Sequence, residues 1–392
     1  MAIWLMAIKR LGVLTGGGDV PGLNACIKAI TLRATELGWD VLGFRRGFAG
    51  PLNYNPDDPE GGEAHLIRLN PDIVRTIDRT GGTVLHTSRT SPDRLRAAEV
   101  PEFLQNRLVP APDGFLDCTP HLLRVFEHLQ IDALVAIGGD GTLNFAARLR
   151  REGMSMMLVP KTMDNDVFGT DYSIGFSTAV SRSVDLVSAL RTTTGSHERI
   201  AVVELFGRNS GETALITGYL ADVDRVLIAE VPFDIEKVSR LLLQDRAANA
   251  SNYAMLVVSE GARVAQGQTQ EHAEGNGHGN RKLGGIGELV GEEIQRRTGV
   301  GTITQNLGYL MRSGTPDAVD LMVAKSYGAM AVQLLAEGKQ GLMMAVRDGK
   351  YTTVPGDTCT RGRRRVDVAS LYDTDAYRPR IAHIPGKPMF LD

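Results

Sequence analysis

Short apolar runs recur along the chain and alternate with stretches of helical spacing. "RLGVLTG" (10–16), "WDVLGF" (39–44), "ALVAIGG" (133–139), "SMMLVP" (155–160), "IAVVELF" (200–206), "RVLIAEV" (225–231) and "YAMLVVSE" (253–260) have the content of buried strands. After the first run, Leu23, Ile27, Ile30, Ala34 and Leu37 fall three or four residues apart. That spacing is one face of a helix that starts just after "GGGDVPG" and packs on a sheet. Strands that are apolar throughout, separated by helices, predict an α/β fold with mainly parallel sheets. "GLMMAVRDGKYTTV" (341–354) reads as a hairpin turning at Asp348-Gly349. A chain of 392 residues with this pattern is expected to divide between two lobes. No internal repeat of fixed period is visible.

Composition removes several function classes. A net charge of −3 and a pI near 6.3 lack the basic surplus of nucleic-acid binding. Cys26, Cys118 and Cys359 are odd in number, widely spaced and without a C-x-x-C, so reduced thiols in a cytoplasm are expected rather than a disulfide framework or a zinc site. "MAIWLMA" is short, and Lys9 and Arg10 follow it, the wrong order for a secretory signal; it reads as an extension of the first strand. No run approaches the roughly 18 to 20 apolar residues of a membrane span, so no membrane partner is expected. The polar, glycine-rich stretch from Gln266 to Gly285 reads as a mobile surface loop, with His272 and His278 solvated rather than metal-bound.

Two glycine turns follow expected strands: "TGGGD" (15–19) and "GGDGT" (138–142). Glycines let backbone N–H groups approach phosphate oxygens, and the helix that follows offers its positive end. Neither turn matches the P-loop or the dinucleotide fingerprint. Asp140 stands among these amides, where it would repel a bare phosphate unless a magnesium ion lies between them. Farther on, "PKTMDND" (160–166) crowds Asp164, Asn165 and Asp166 beside Lys161 and Thr162 at the end of a strand, where open α/β sheets place ligands. A carboxylate there can accept the proton of an attacking hydroxyl.

Together, "GVLTGGGDVPGLN", "GGTVLHTSR", "IGGDGT", "PKTMDND", "GTDYSIGFSTA" and "SHERIAVVELFGR" resemble the 6-phosphofructokinases in order and spacing over most of the first 230 residues. The later "YLMRSGTPDAVD" and "RRVDVASLYDTDAYRP" resemble the mixed-substrate branch, whose members use ATP or pyrophosphate. The resemblance implies two Rossmann-like lobes with the active site in the cleft between them and a chain that crosses more than once. Residues 1–175 with about 316–365 would bind the phosphoryl donor, and 176–315 with about 366–392 the sugar phosphate. Asp164 would be the base that takes the proton of the sugar's 1-hydroxyl, and Asp140 would hold Mg2+. Gly17, Gly18, Arg89, Thr90, Gly139, Asp140, Gly141 and Thr142 would hold the donor. Thr162, Met163, Asp164, Phe206, Gly207, Arg208, Glu230, Tyr309, Leu310, Met311 and Arg312 would contact fructose 6-phosphate. Arg199 would reach the sugar from a neighbouring subunit of a homodimer or homotetramer. Arg208 would steady the transferring phosphoryl group, with Lys161 and Thr162 completing the catalytic set.

Several positions depart from the family pattern: Phe206 stands where Met is usual, Ile303 where an arginine is frequent, and Tyr309 where a histidine is. Lys28 and Arg33 do not reproduce the basic set of the allosteric bacterial enzymes. For the donor, an Asp directly after the magnesium-binding Asp goes with pyrophosphate use, and this chain has Gly141 there. A carboxylate would crowd and repel the α-phosphate of ATP, whereas glycine leaves room. Lys161 points the other way, because its ammonium suits a departing phosphate. The expected reaction is transfer of the terminal phosphoryl group of ATP to fructose 6-phosphate, with pyrophosphate as the alternative donor. "GGDGTLN" also resembles NAD and diacylglycerol kinases, which lack "PKTMDND" and "FGR" in this arrangement. A silent sugar-phosphate-binding subunit would not be expected to keep Asp140, Asp164 and Arg208 together.

Overall fold

The computed structural model describes residues 8–105, 113–265 and 285–380. They form two compact units, the first of those described within Met1–Thr162, Val167–Gly175 and Ser313–Gly362, the second of those described within Met163–Asp166, Phe176–Arg312 and Arg363–Asp392. The opening "MAIWLMA" and nearly all of the Gln266–Gly285 stretch, with His272 and His278, lie outside the described residues.

Strands β1 (Arg10–Gly16), β2 (Asp40–Phe44), β3 (Leu66–Leu69), β4 (Ala133–Gly138) and β5 (Met156–Pro160) belong to the first unit. Strands β6 (Ile200–Leu205), β7 (Arg225–Leu227), β8 (Ala254–Ser259) and β9 (Thr302–Asn306) belong to the second, and the chain then returns to the first with β10 (Leu342–Arg347) and β11 (Lys350–Pro355).

The first unit is built on a seven-stranded sheet of order β11-β10-β5-β4-β1-β2-β3. Its central pairs are parallel, and only the edges, β2 with β3 and β10 with β11, are antiparallel. The second unit holds a four-stranded parallel sheet of order β7-β8-β6-β9. The α/β class and the mainly parallel sheets are therefore as the hydrophobic pattern predicts, because each apolar run is a strand covered on both faces.

Leu14, Phe44, Leu134, Ala136 and Leu158 feed one core together with Leu122, Phe126, Leu143 and Leu149 from flanking helices. The residues between them, Val13, Val135, Ile137 and Val159, are equally buried and turn to the opposite face with the period of two. The expected helix begins at Leu23 behind Gly22, whose φ of 107° suits glycine. Leu23, Ile27, Ile30 and Ala34 are buried, and Leu37 closes the helix rather than extending its face. This helix packs along the Ala318–Ala336 helix. A Cβ on Gly328 would stand 2.7 Å from the Cys26 carbonyl oxygen, so the missing side chain permits the close approach.

Ala318–Ala336 is long and apolar enough to span a bilayer by length and mean hydropathy, although Asp320 and Lys325 interrupt its apolar run. It is a core helix whose buried Asp320 accepts hydrogen bonds from the Tyr172 hydroxyl and the Gly175 N–H, each at 2.7 Å. The Asp348-Gly349 turn has φ of 51° and 71°, the pair of positive values that a type I′ hairpin demands.

Candidate active site

In the first unit the register of three parallel strands lines up the motifs. Gly16 pairs with Gly138 across β1 and β4, and Gly138 with Pro160 across β4 and β5. "TGGGD", "GGDGT" and "PKT" therefore leave the sheet side by side at its carboxyl edge, the place where such sheets bind ligands. The two glycine turns share one side chain. A Cβ on Gly16 would come within 2.3 Å of the Thr142 hydroxyl, and one on Gly138 within 2.4 Å of the Thr142 Cβ. Gly139 is the N-cap of the Asp140–Arg151 helix and offers no capping side chain, with Asp140 in the first turn.

Lys161 is buried, and its ammonium donates to the Gly18 carbonyl oxygen at 2.6 Å, against the first glycine turn. The segment carrying Arg89 and Thr90 is stitched to the same turn. Gly17 N–H donates to the Ser88 carbonyl at 2.8 Å, and the Thr87 hydroxyl donates to the Gly17 carbonyl at 2.7 Å. Thr90 meets the Ser88 hydroxyl at 3.0 Å, while Arg89 projects to solvent. Nothing lies within 4 Å of where a Cβ on Gly141 would be. That open space belongs to a recess of about 380 Å³ lined by Gly141, Ser91, Asp93, Asn144, Phe145 and Arg148 among others. Gly17, Gly18, Arg89, Thr90, Gly139–Thr142 and Lys161 are thus gathered on one edge, and Thr162 follows them in the chain.

In the second unit the same edge logic applies. β6 and β8 are adjacent with Leu205 opposite Ser259, so Phe206–Arg208 and Ser259–Gly261 leave the sheet together. Gly207, at φ 140°, accepts a hydrogen bond from the Ser259 hydroxyl at 2.6 Å. A Cβ on Gly261 would sit 2.2 Å from the Arg208 carbonyl oxygen. The Arg208 guanidinium lies 3.8 Å from Glu260 and is 41% exposed, leaving it open to an anion.

Asp164 faces these groups. Burial first, then the charges of Asp166 and Glu260, push its carboxyl up to about 8, while the Arg208 backbone N–H and guanidinium pull it down. Phe206 and Tyr309 meet edge-on, with the Arg312 guanidinium 4.5 Å from the Tyr309 ring centre and 5.8 Å from that of Phe206. Buried Met311 accepts the Phe206 N–H on its sulfur at 3.3 Å. Tyr309 and Leu310 are mostly exposed. Glu230 accepts the Gly211 N–H at 3.0 Å and the Val366 N–H at 3.1 Å, so it also braces the start of the Glu212–Leu220 helix.

Arg199 stands apart from this group. It precedes β6 whereas Phe206–Arg208 follow it, a separation of roughly 20 Å at the usual strand rise. Glu260, Glu212 and Arg364 also stand in this unit, and no motif assigns them a role in advance. Glu212 does lie within "FGRNSGE", but Arg364 belongs to the arginine run "RGRRR", which looks like solvated surface.

Residues 10–335 match the family model described as phosphofructokinase. The chain belongs to the phosphofructokinase family. It is 38% identical over 349 residues to the ATP-dependent 6-phosphofructokinase of Chloroflexus aggregans, covering 88% of this chain and 90% of that one. It is also 36% identical over 366 residues to the pyrophosphate–fructose 6-phosphate 1-phosphotransferase of Dictyoglomus thermophilum, covering 93% and 97%. Its fold matches the solved pyrophosphate-dependent phosphofructokinase of Nitrosospira multiformis with a TM-score of 0.75 at 17% identity, over 98% of this chain and 96% of the other.

Within the phosphofructokinase fold, Ile303 pairs with Ala201 near the start of β6. The arginine often found at that position would thus belong to the Arg199 end of the sheet, not to the Phe206–Arg208 end. The Tyr309 replacement is used differently: its ring becomes the platform under the Arg312 guanidinium.

Proposed function

We propose that the chain transfers the terminal phosphoryl group of ATP to the 1-hydroxyl of fructose 6-phosphate, giving fructose 1,6-bisphosphate, in the glycolysis of the cytoplasm. The observation that supports this best is the row Gly16, Gly138 and Pro160, which brings two glycine turns, Asp140 and Lys161 to one sheet edge. That row suits a polyphosphate: backbone N–H groups and a helix N-terminus cradle its oxygens, and Lys161 adds a fixed positive charge. Gly141 and the recess beside it leave room for a nucleoside, which favours ATP over pyrophosphate. Lys161, held on the first turn, serves a departing phosphate of either donor.

Asp140 fits Mg2+. This ion takes one or two protein carboxylates and completes its shell with water and substrate phosphates. Among the described residues no three His, Cys, Asp or Glu side chains gather as a metal cage, and none is required. The buried Cys359 thiol nearby does not suit this ion, which takes oxygen ligands. When bound, the ion neutralises the charge that develops on the donor phosphates.

The protein supplies the rest. Arg312 and Tyr309 bind the sugar phosphate, and Glu230 orients the sugar. Asp164, in its carboxylate form, accepts the 1-hydroxyl proton as the oxygen attacks, and the buried surroundings that oppose its charge make it a stronger base. Arg208, with its exposed guanidinium, takes up charge on the phosphoryl group in flight. Arg199 acts in the site of a neighbouring subunit.

A steady-state comparison of ATP and pyrophosphate with fructose 6-phosphate and Mg2+, on wild type and Gly141→Asp, tests the donor. Wild type should prefer ATP, and the added carboxylate should abolish that preference. Wild-type preference for pyrophosphate, or unchanged ATP use in Gly141→Asp, would refute it. Chelation of the metal should stop turnover with either donor.

A further inference from the structure

The proposed reaction leaves a buried charged cluster of the second unit, Glu212 with Arg364, without a task. Glu212, 4% exposed, opens the Glu212–Leu220 helix. Its carboxylate is ion-paired with the Arg364 guanidinium and accepts a hydrogen bond from the Asn165 carboxamide at 3.2 Å. Burial is the larger influence on Glu212 and pushes it up to about 7 even though Arg364 pulls the other way.

Arg364 does more than neutralise Glu212. Its backbone N–H donates to the Asp166 carbonyl at 3.0 Å, and its Nη1 donates to the Asn165 carbonyl at 3.4 Å. The two backbone carbonyls that follow Asp164 are thus held from one residue. Asn165 itself turns the chain at φ 52°, in the left-handed region that asparagine enters more readily than most residues. Two residues later, Val366 donates its N–H to Glu230. The segment Arg364–Val366 therefore ties the turn of the proton acceptor to the carboxylate proposed to orient the sugar.

We propose that Arg364 is a positioning residue for Asp164: paired with Glu212, it fixes the Asn165–Asp166 backbone and so aims the acceptor carboxylate. This inference rests on the phosphofructokinase reading and adds to it a task for the segment that follows Gly362. Buried ion pairs contribute little net stability compared with apolar residues of similar size. The value of the pair then lies in geometry, and a misplacement of about 1 Å can lower a rate about 10²-fold.

The test compares wild type, Arg364→Met and the double variant Arg364→Met/Glu212→Leu, each assayed for kcat, for KM of fructose 6-phosphate and for thermal midpoint. The single variant leaves Glu212 buried without its cation and should lose stability; the double variant removes both charges and should recover it. Both should show kcat lowered about 10²-fold with KM changed less than about threefold, because the contacts proposed for the sugar remain. A double variant with recovered stability and wild-type kcat would make the pair purely structural and overturn the proposal, as would an Arg364→Met protein of undiminished kcat. A rise in KM that accounts for the whole loss would also overturn it. If wild type itself transfers no phosphoryl group to fructose 6-phosphate, the functional reading fails, and this inference with it.

Discussion

In the role proposed for it, Asp164 has to be charged before it takes a proton, yet its surroundings oppose that charge. Burial raises it first, and Asp166 and Glu260 add like charge, so the carboxyl is pushed up to about 8. The sign of the pH dependence follows. Below that value the acceptor carries a proton, so kcat/KM for fructose 6-phosphate should rise about tenfold per pH unit until it levels near pH 8. Asp166→Asn removes a repelling charge while keeping a group that can meet Asn209, and it should move the acid limb to lower pH. An unmoved limb would assign the titration to another group. Asp164→Asn keeps the shape and removes the acceptor, so turnover should fall by about 10² to 10⁴ while KM changes little. Near-normal turnover would remove Asp164 from its role.

At the scale of the element, the two glycine turns depend on each other through Thr142, and the geometry separates their responses to substitution. In Gly16→Ala the new methyl collides with the Thr142 hydroxyl, at 2.3 Å, and Thr142→Ala removes that atom. In Gly138→Ala the nearest atom is the Thr142 Cβ itself, at 2.4 Å, which Thr142→Ala retains. Each single alanine should destabilise by about 1 to 3 kcal/mol. Thr142→Ala should rescue Gly16→Ala but not Gly138→Ala, read from denaturant midpoints; equal rescue of both would contradict the packing. The same element shows what could be read beforehand. Parallel strands are buried on both faces, so β1, β4, β5, β6 and β8 announce themselves as apolar runs, and the turns after them are marked by glycine. β9 does not, because "TITQN" leaves three of its residues exposed, and the four-residue edge strand β3 leaves too short a pattern. Nor does Arg364, since its contact with Asn165 joins positions 199 apart and its own neighbourhood is a run of arginines. Local patterns carry the strands and the glycine turns, whereas pairings across the chain become visible only once it is folded.

At the scale of the whole molecule, the chain passes from one unit to the other five times, once inside "PKTMDND" between Thr162 and Met163. Donor-side and sugar-side candidates are thus contributed by alternating stretches, which is why the motifs are scattered over some three hundred positions. Arg199 bears on assembly: it lies at the far end of β6 from Phe206–Arg208, and the role proposed for it on the sugar phosphate is one played in a second copy of the chain. Mixing two inactive proteins tests this. Arg199→Ala keeps its own Asp164 but denies its neighbour the guanidinium; Asp164→Asn keeps Arg199 but has no acceptor. In a mixed dimer, the site built on the Arg199→Ala protomer has both groups. Refolding the two variants together in equal amounts makes half the dimers mixed, each with one complete site, so activity should return to about a quarter of wild type. Neither protein refolded alone should recover. Absence of recovery in a mixture shown to contain mixed oligomers would confine Arg199 to its own protomer, where the length of β6 keeps it from the Phe206–Arg208 turn.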